Sequence, residues 1–143
     1  MLRTYVRLTG TASPTAVVAR ICHDLPVTSV LIVDDHPSFR ASARAMLESE
    51  GFEVVGEVAD GASVVDAVNE LVPDVVLLDI QLPDMSGFDV CALLDSFEDP
   101  NVQVILVSSR DLSDFGDLVE TSCARGFVPK GELSGEAITA LLT

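Results

Sequence analysis

Residues 29–38 read SVLIVDDHPS, in which an unbroken apolar run, Val30–Val33, is followed directly by two acidic residues. The apolar run predicts a strand over about Ser29–Val33, which the two acids close. Pro37 suits the first turn of a helix predicted over about Ser38–Glu50, because its missing N–H would have no helical partner there. A strand, an acidic strand end and a helix are therefore expected in immediate succession.

This alternation of an apolar run with a helical pattern recurs four more times. The further predicted strands are about Glu53–Ala59, Val75–Leu78, Gln103–Val107 and Gly126–Val128. The further predicted helices are about Ala62–Leu71, Ser86 to before Asp99, Ser113–Cys123, and Gly135 to the end with Ser134 as N-cap. Gly116 lies inside the ragged apolar stripe of the fourth helix. Five β/α units predict an α/β fold, a doubly wound five-stranded parallel sheet with helices on both faces.

Size and charge exclude several classes of protein. The 143 residues amount to one domain, and no apolar run approaches the roughly 18 residues of a membrane span. The net charge is −15; Arg3, Arg7 and Arg20 against Asp24 give residues 1–26 a charge of +2, so the remainder carries −17. Phosphate backbones repel so acidic a body, which predicts no direct binding of nucleic acid.

Three scattered cysteines without a CxxC pair indicate reduced thiols, so we expect a cytoplasmic location and no membrane association. Cys91 and Cys123 are interpreted as small hydrophobic residues on helix faces.

Polar side chains follow the strands at the edge where parallel strands end together. Three acids, a hydroxyl and the only lysine of the chain are expected to converge there: Asp34, Asp35, Asp79, Ser108 and Lys130. Three carboxylates this close would repel one another unless a divalent cation lay among them. His36 is interpreted as a loop residue rather than a ligand, since hard cations prefer oxygen. The pattern predicts a phosphorylation switch with a metal site.

Residues 28–143 resemble the receiver domain of two-component response regulators, the CheY-like domain. The resemblance rests on the acid pair, on Asp79 followed by LPDMSG at 82–87, on Ser108 and on Lys130. Intervals of 44, 29 and 22 residues separate Asp35, Asp79, Ser108 and Lys130, as in that family. The stretch VDDHP further resembles the NarL/FixJ-type subfamily, whose receivers usually precede a helix-turn-helix DNA-binding domain.

The resemblance implies a flavodoxin-like sheet of strand order 2-1-3-4-5. It also implies that Asp79 accepts a phosphoryl group from a sensor histidine kinase, with Mg²⁺ as cofactor. The implied metal ligands are the carboxylates of Asp34, Asp35 and Asp79 and the backbone carbonyl of Gln81. Lys130 and Ser108 would assist the transfer, and Ser108 and Phe127 would form the switch; a plain core aromatic is the alternative for Phe127.

One departure from the family concerns the residues around the lysine. The family often has a proline directly after it, in a cis peptide, whereas here Pro129 precedes Lys130 and Gly131 follows. Glycine tolerates unusual backbone angles, so the loop is still expected to present the amine.

The resemblance implies a signalling domain and no enzyme activity beyond its own phosphorylation and slow dephosphorylation. Its output is expected through the face of the fourth helix, fifth strand and fifth helix, and a phospho-dependent homodimer through that face is left open.

The main alternative is a magnesium-dependent phosphatase of the haloacid dehalogenase type, which also uses an aspartate at a strand end. That family needs a second aspartate two residues after the nucleophile, and here the position is Gln81. A nucleotide-binding domain is disfavoured, because the chain has neither GxGxxG nor GxxxxGK[ST].

Residues 1–27 are interpreted as a leader, either a short amphipathic helix or a non-native extension. With residues 28–143 taken as the receiver, no effector domain is expected in this chain. Two readings stay open: a stand-alone receiver, or a fragment of a DNA-binding transcriptional regulator.

Overall fold

Five parallel strands form one sheet in the computed structural model, which describes residues 27–96 and 102–142. The strands are β1 (Ser29–Val33), β2 (Glu53–Val58), β3 (Val75–Asp79), β4 (Gln103–Ser108) and β5 (Gly126–Pro129). Their order across the sheet is β2-β1-β3-β4-β5, which confirms the predicted strand order. β1, β3 and nearly all of β4 are buried on both faces, as their unbroken apolar runs predict.

Helices cover both faces of this sheet. They are α1 (Pro37–Ser49), α2 (Val64–Leu71), α3 (Gly87–Asp95), α4 (Leu118–Thr121) and α5 (Gly135–Leu142), with short 3₁₀ helices at Leu112–Phe115 and Lys130–Glu132. α1 and α5 share a core with one face of the sheet, and α2, α3 and α4 share a core with the other. Alternate strand residues feed the two cores, Leu31 and Val33 on one side and Val30 and Ile32 on the other.

The predicted fourth helix, Ser113–Cys123, is wrong as a single element. The chain instead makes the 3₁₀ helix Leu112–Phe115, turns at Gly116, and resumes as the four-residue α4. Gly116 has φ 59° and ψ −129°, a conformation that glycine adopts without a side-chain clash and that no helix contains. Only Phe115 and Val119 of this segment are buried in the core, so packing holds it at two points.

The other boundaries differ from prediction by one or two residues, apart from the third helix. α3 ends at Asp95 with Ser96 as its C-cap, and residues 97–98 of its predicted extent lie outside the described residues. The predicted N-cap of α5 is confirmed, because the backbone N–H of Ala137 donates to Ser134 Oγ at 3.0 Å. Residues 1–26 of the leader also lie outside the described residues. Among those described, no helix is long and apolar enough to span a bilayer.

Candidate functional site at the carboxyl edge of the sheet

Three carboxylates meet where β1 and β3 end. β1 pairs with β3 in parallel through Val33 and Leu78, so the residues that follow, Asp34 and Asp79, lie side by side. Both are buried, and Asp35 is partly buried. One ligand atom from each of these acids and one from His36 lie within 4.8 Å of one another. The predicted convergence of the acids is therefore present in the fold.

Lys130 contributes the positive charge of the site. Its Nζ lies 2.5 Å from Asp34 Oδ2 and 3.4 Å from Asp79 Oδ2, and only 14 % of the side chain is exposed. The ammonium also sits 4.7 Å from the centre of the Phe39 ring, within the range of a cation–π contact. Lys130 opens a 3₁₀ helix, so the loop presents the amine to the acids without a proline after it.

The charge in this cluster is unbalanced, because one ammonium faces three carboxylates. Burial raises the pKa of Asp79 above its ordinary range, and the neighbouring charge of Asp34 raises it further. A hydrogen bond from the backbone N–H of Gln81 to Asp79 Oδ1, at 3.2 Å, and the charge of Lys130 oppose that rise in pKa. The site therefore favours the arrival of further positive charge.

Two carboxylate oxygens of the cluster are suited to a metal ion. Asp34 Oδ2 and Asp35 Oδ1 are buried, and no group among the described residues makes a hydrogen bond to either; the Lys130 ammonium lies against the first and the His36 imidazole against the second. Buried oxygens without hydrogen bonds are costly, and a hard divalent cation takes oxygen ligands of this kind. The residues present thus fit Mg²⁺.

His36 lies closer to the acids than its interpretation as a loop residue implied. Its Nδ1 is 2.9 Å from Asp34 Oδ1 and 3.2 Å from Asp35 Oδ1, and its backbone N–H donates to Asp34 Oδ1 at 2.8 Å. The imidazole is 63 % exposed and stands at the N-cap of α1. The position of His36 directly after the acid pair is the sequence signal from which its contact with these acids could have been predicted.

The turn after Asp79 depends on a close approach of backbone to backbone. A Cβ on Gly87 would lie 2.7 Å from the Asp79 carbonyl oxygen and 2.9 Å from Ile80 Cα, so this position admits only glycine. The N–H of Gly87 donates to the carbonyl of Ile80 at 2.7 Å, which closes the turn. The sequence LPDMSG thus holds the loop that carries Asp79 and Gln81.

Asp84 of the same loop has a structural role that the sequence reasoning missed. Its two carboxylate oxygens accept hydrogen bonds from the backbone N–H groups of Gly61 and Ala62, both at 2.9 Å. These bonds tie the loop after β3 to the segment before α2, and they lower the pKa of Asp84. No local pattern signals a contact between residues so far apart in the sequence.

The two predicted switch residues lie on neighbouring strands. Ser108 ends β4 and is buried, and its Oγ accepts a hydrogen bond from the backbone N–H of Arg110 at 3.0 Å. Phe127, on β5, is partly buried with its ring 5.9 Å from that of Phe115. Phe115 in turn makes an edge contact with Phe88 of α3 at 6.0 Å. A row of three aromatic rings therefore connects β5 to α3.

Comparison with known proteins gives a consistent result. The sequence profile of the response regulator receiver domain matches residues 30–142. The positive transcription regulator BvgA of Bordetella pertussis is 40% identical over 111 residues, which cover 78% of this chain and 53% of BvgA. The transcriptional regulatory protein NarL of Mycobacterium tuberculosis is 37% identical over 114 residues, covering 79% and 52%. The chain spans about half the length of these curated relatives.

Solved structures agree with the sequence matches. The signal receiver domain of NarL from Mycobacterium tuberculosis superposes with a TM-score of 0.72 at 35% identity, covering 82% of this chain and 95% of that one. A LuxR-family DNA-binding response regulator from Staphylococcus aureus superposes with a TM-score of 0.70 at 26% identity, covering 81% and 96%.

Proposed function

Since the chain belongs to the response regulator receiver domain family, we propose that Asp79 is its phosphoryl acceptor, with a sensor histidine kinase as donor and Mg²⁺ as cofactor. As a receiver it is a signalling domain rather than a conventional enzyme. The observation that carries the proposal is the junction of Asp34, Asp35 and Asp79 with the lone lysine at one edge of the sheet.

The transfer uses the chemistry of a carboxylate nucleophile. A carboxylate oxygen of Asp79 attacks the phosphorus of a phosphohistidine in line; the P–N bond breaks and an aspartyl phosphate forms. Such transfers depend on positioning and on neutralising the charge of the phosphoryl oxygens, which is what a bound Mg²⁺ supplies. Gln81 N–H orients Asp79 Oδ1, and Lys130 faces Oδ2, where its ammonium can meet a phosphoryl oxygen.

Asp34 and Asp35 are the proposed carboxylate ligands of the cation, together with Asp79 and the backbone carbonyl of Gln81. Their support is the pair of buried oxygens without hydrogen bonds, Asp34 Oδ2 and Asp35 Oδ1. A bound divalent cation would also balance the excess negative charge of the three carboxylates, which Lys130 alone leaves uncompensated.

Ser108 and Phe127 are the proposed switch. Ser108 Oγ accepts a hydrogen bond from the Arg110 N–H, so its own hydroxyl hydrogen can be donated to a phosphoryl oxygen on the modified Asp79. The output face is formed by α4, β5 and α5, and α4 is held to the core by few side chains, so small contacts can shift it. A second phosphorylated copy is a candidate partner for that face.

The relatives matched over half their length are transcription regulators, so we place this receiver in a DNA-binding regulator of the bacterial cytoplasm. The acidic charge of the chain argues that DNA contact belongs to a segment other than the receiver.

Incubation with acetyl phosphate and MgCl₂ tests the proposal against the phosphatase alternative. We expect one acid-labile phosphate per chain, measured by intact mass, and little release of inorganic phosphate. Continuous phosphate release without a stable adduct would favour a hydrolase and overturn the receiver mechanism.

Beryllofluoride, a phosphoryl mimic, tests the output face. Amide hydrogen exchange is expected to change most within residues 109–130. A change confined to α2 would contradict the proposed face.

A further inference from the structure

Two cysteines meet in the seam between α3 and the segment that follows α4. Cys91 lies on α3 and is 1 % exposed, whereas Cys123 lies just after α4 and is exposed. The Sγ of Cys123 contacts the backbone carbonyl of Cys91 at 3.3 Å. Both residues line a cavity of about 240 Å³ whose other walls include Phe88, Asp95 and Leu118. The seam therefore places the exposed thiol of Cys123 against the backbone of the buried Cys91.

The two thiols differ in how readily they ionise. A hydrogen bond between the side chains lowers the pKa of Cys123 and raises that of Cys91, and burial raises the pKa of Cys91 further. When both are neutral, Cys123 donates to the Cys91 carbonyl; once Cys123 is ionised, the Cys91 thiol can donate to it. Asp95 opposes the ionisation of Cys123. The more reactive sulfur is thus the accessible one, and its resolving partner is adjacent.

We propose that Cys91 and Cys123 form a reversible intramolecular disulfide when the protein meets a hydroperoxide. An exposed thiol beside a buried one suits a transient redox bond rather than a permanent one, because disulfides in a reducing compartment are usually reversible. The interpretation of both residues as small hydrophobic side chains then describes Cys91 alone.

The chemistry balances with a hydroperoxide as the oxidant. The Cys123 thiolate attacks the terminal peroxide oxygen; the O–O bond breaks, and the leaving oxygen takes a proton and departs as water or alcohol. The Cys91 sulfur then attacks the sulfenic sulfur of Cys123, and the sulfenic oxygen leaves as water with the Cys91 proton. Two thiols lose two protons and two electrons, and the peroxide gains them.

The disulfide would lie away from Asp79. Cys123 precedes β5, and the N–H of Arg125 donates to Val104 O at the start of β4, so the seam is at the amino edge of the sheet. Asp79 is at the carboxyl edge. The bond would join α3 to the end of α4 and restrain α4. Any effect of that restraint on signalling rests on the proposed function, whereas disulfide formation does not.

The test uses the full chain with Cys22→Ser, which leaves only the two cysteines of the seam. After mild hydrogen peroxide, intact mass should fall by two hydrogens, and neither thiol should react with iodoacetamide under denaturing conditions. The product should stay monomeric, and dithiothreitol should restore both thiols. Peptide mapping should recover Cys91 linked to Cys123.

Two further variants keep the test decisive. Cys22→Ser with Cys123→Ser changes an exposed position and should melt like its parent, yet its Cys91 should remain alkylatable after peroxide. Cys22→Ser with Asp79→Asn should form the disulfide as the parent does, so failure of phosphoryl transfer cannot be mistaken for failure of the thiol pair. Cys123 oxidised to sulfinic acid beside a free Cys91, or disulfide-linked dimers as the main product, would overturn the proposal.

Discussion

Lys130 and Asp34 form an ion pair that joins the loop before α5 to the end of β1, with Nζ 2.5 Å from Oδ2. The Asp34 side chain is fully buried, and the lysine is mostly so. The same ammonium reaches the proposed phosphoryl acceptor at a longer distance of 3.4 Å. Lys130 therefore compensates the charge of Asp34, a proposed metal ligand, as well as that of Asp79, so its contribution to stability can be measured apart from its proposed part in transfer.

Lys130→Met is expected to lower the free energy of unfolding by roughly 3 kcal/mol, because it leaves buried carboxylates without their cation. Chemical denaturation measures this loss. The double variant Lys130→Met with Asp34→Asn should recover part of it, since the uncompensated charge is then smaller. Strictly additive losses would show that the pair is not coupled.

Asp79→Asn is expected to abolish labelling by acetyl phosphate and to raise the melting temperature at neutral pH. The pKa of Asp79 is raised in the fold, so the native state loses stability as pH rises from the ordinary carboxyl pKa of about 3.9 through the raised one. The gain in melting temperature should therefore shrink as pH falls below that window. Asp66→Asn, which changes an exposed acid of α2, is the matched control and should label normally. Stoichiometric labelling of the Asp79 variant would refute the assignment.

Asp35→Ala is expected to remove Mg²⁺ binding and phosphorylation together. Mg²⁺ should raise the melting temperature of the parent protein, because a ligand that binds only the folded state stabilises it. That increase should vanish in Asp35→Ala and persist in His36→Ala, since the imidazole is not a proposed ligand. Equal loss in both variants would add His36 to the metal site.

Asp84→Ala is expected to destabilise the domain at neutral pH and to have little effect in acid. The pKa of Asp84 is lowered in the fold by its hydrogen bonds to Gly61 and Ala62, so the stability it contributes is present above the ordinary carboxyl pKa. This contribution is lost as pH falls through the lowered value. Melting curves of variant and parent should therefore converge in acid. At neutral pH the Asp84 variant should melt below its parent, whereas the Asp79 variant should melt above it. A difference that stays constant with pH would mean that packing, not charge, is responsible.

Val72→Gly is expected to stabilise the protein by about 1 kcal/mol. Val72 ends α2 in the left-handed conformation, with φ 47° and ψ 58°, which a β-branched side chain disfavours by roughly 1–2 kcal/mol. Its side chain is 62 % exposed, so little packing is lost with it. Val65→Gly, inside the same helix, is the control and should destabilise by a similar amount. Denaturation midpoints of the two variants should move in opposite directions.

Local sequence patterns predicted the boundaries of most strands and helices to within two residues. Apolar runs such as Val75–Leu78, flanked by polar residues, are long enough to predict strands. The carboxyl ends of parallel strands lie at the same edge of the sheet, whatever the sequence between the strands. The junction of Asp34, Asp35 and Asp79 follows from that alone. The prediction of a continuous fourth helix was wrong because Gly116 allows either a helix or a turn. The structure has the turn, with Phe115 and Val119 on either side of it buried in the core.

Contacts between distant residues depended on the tertiary structure. Nothing in the periodicity of the chain says that Lys130 approaches Asp34 more closely than Asp79, that Asp84 holds Gly61, or that Cys123 rests on Cys91. Such pairs are set by how loops close over a packed sheet, where a shift of one or two ångströms decides which partner a side chain meets. Sequence order determined which chemical groups reach the edge of the sheet; three-dimensional packing decided which of them touch.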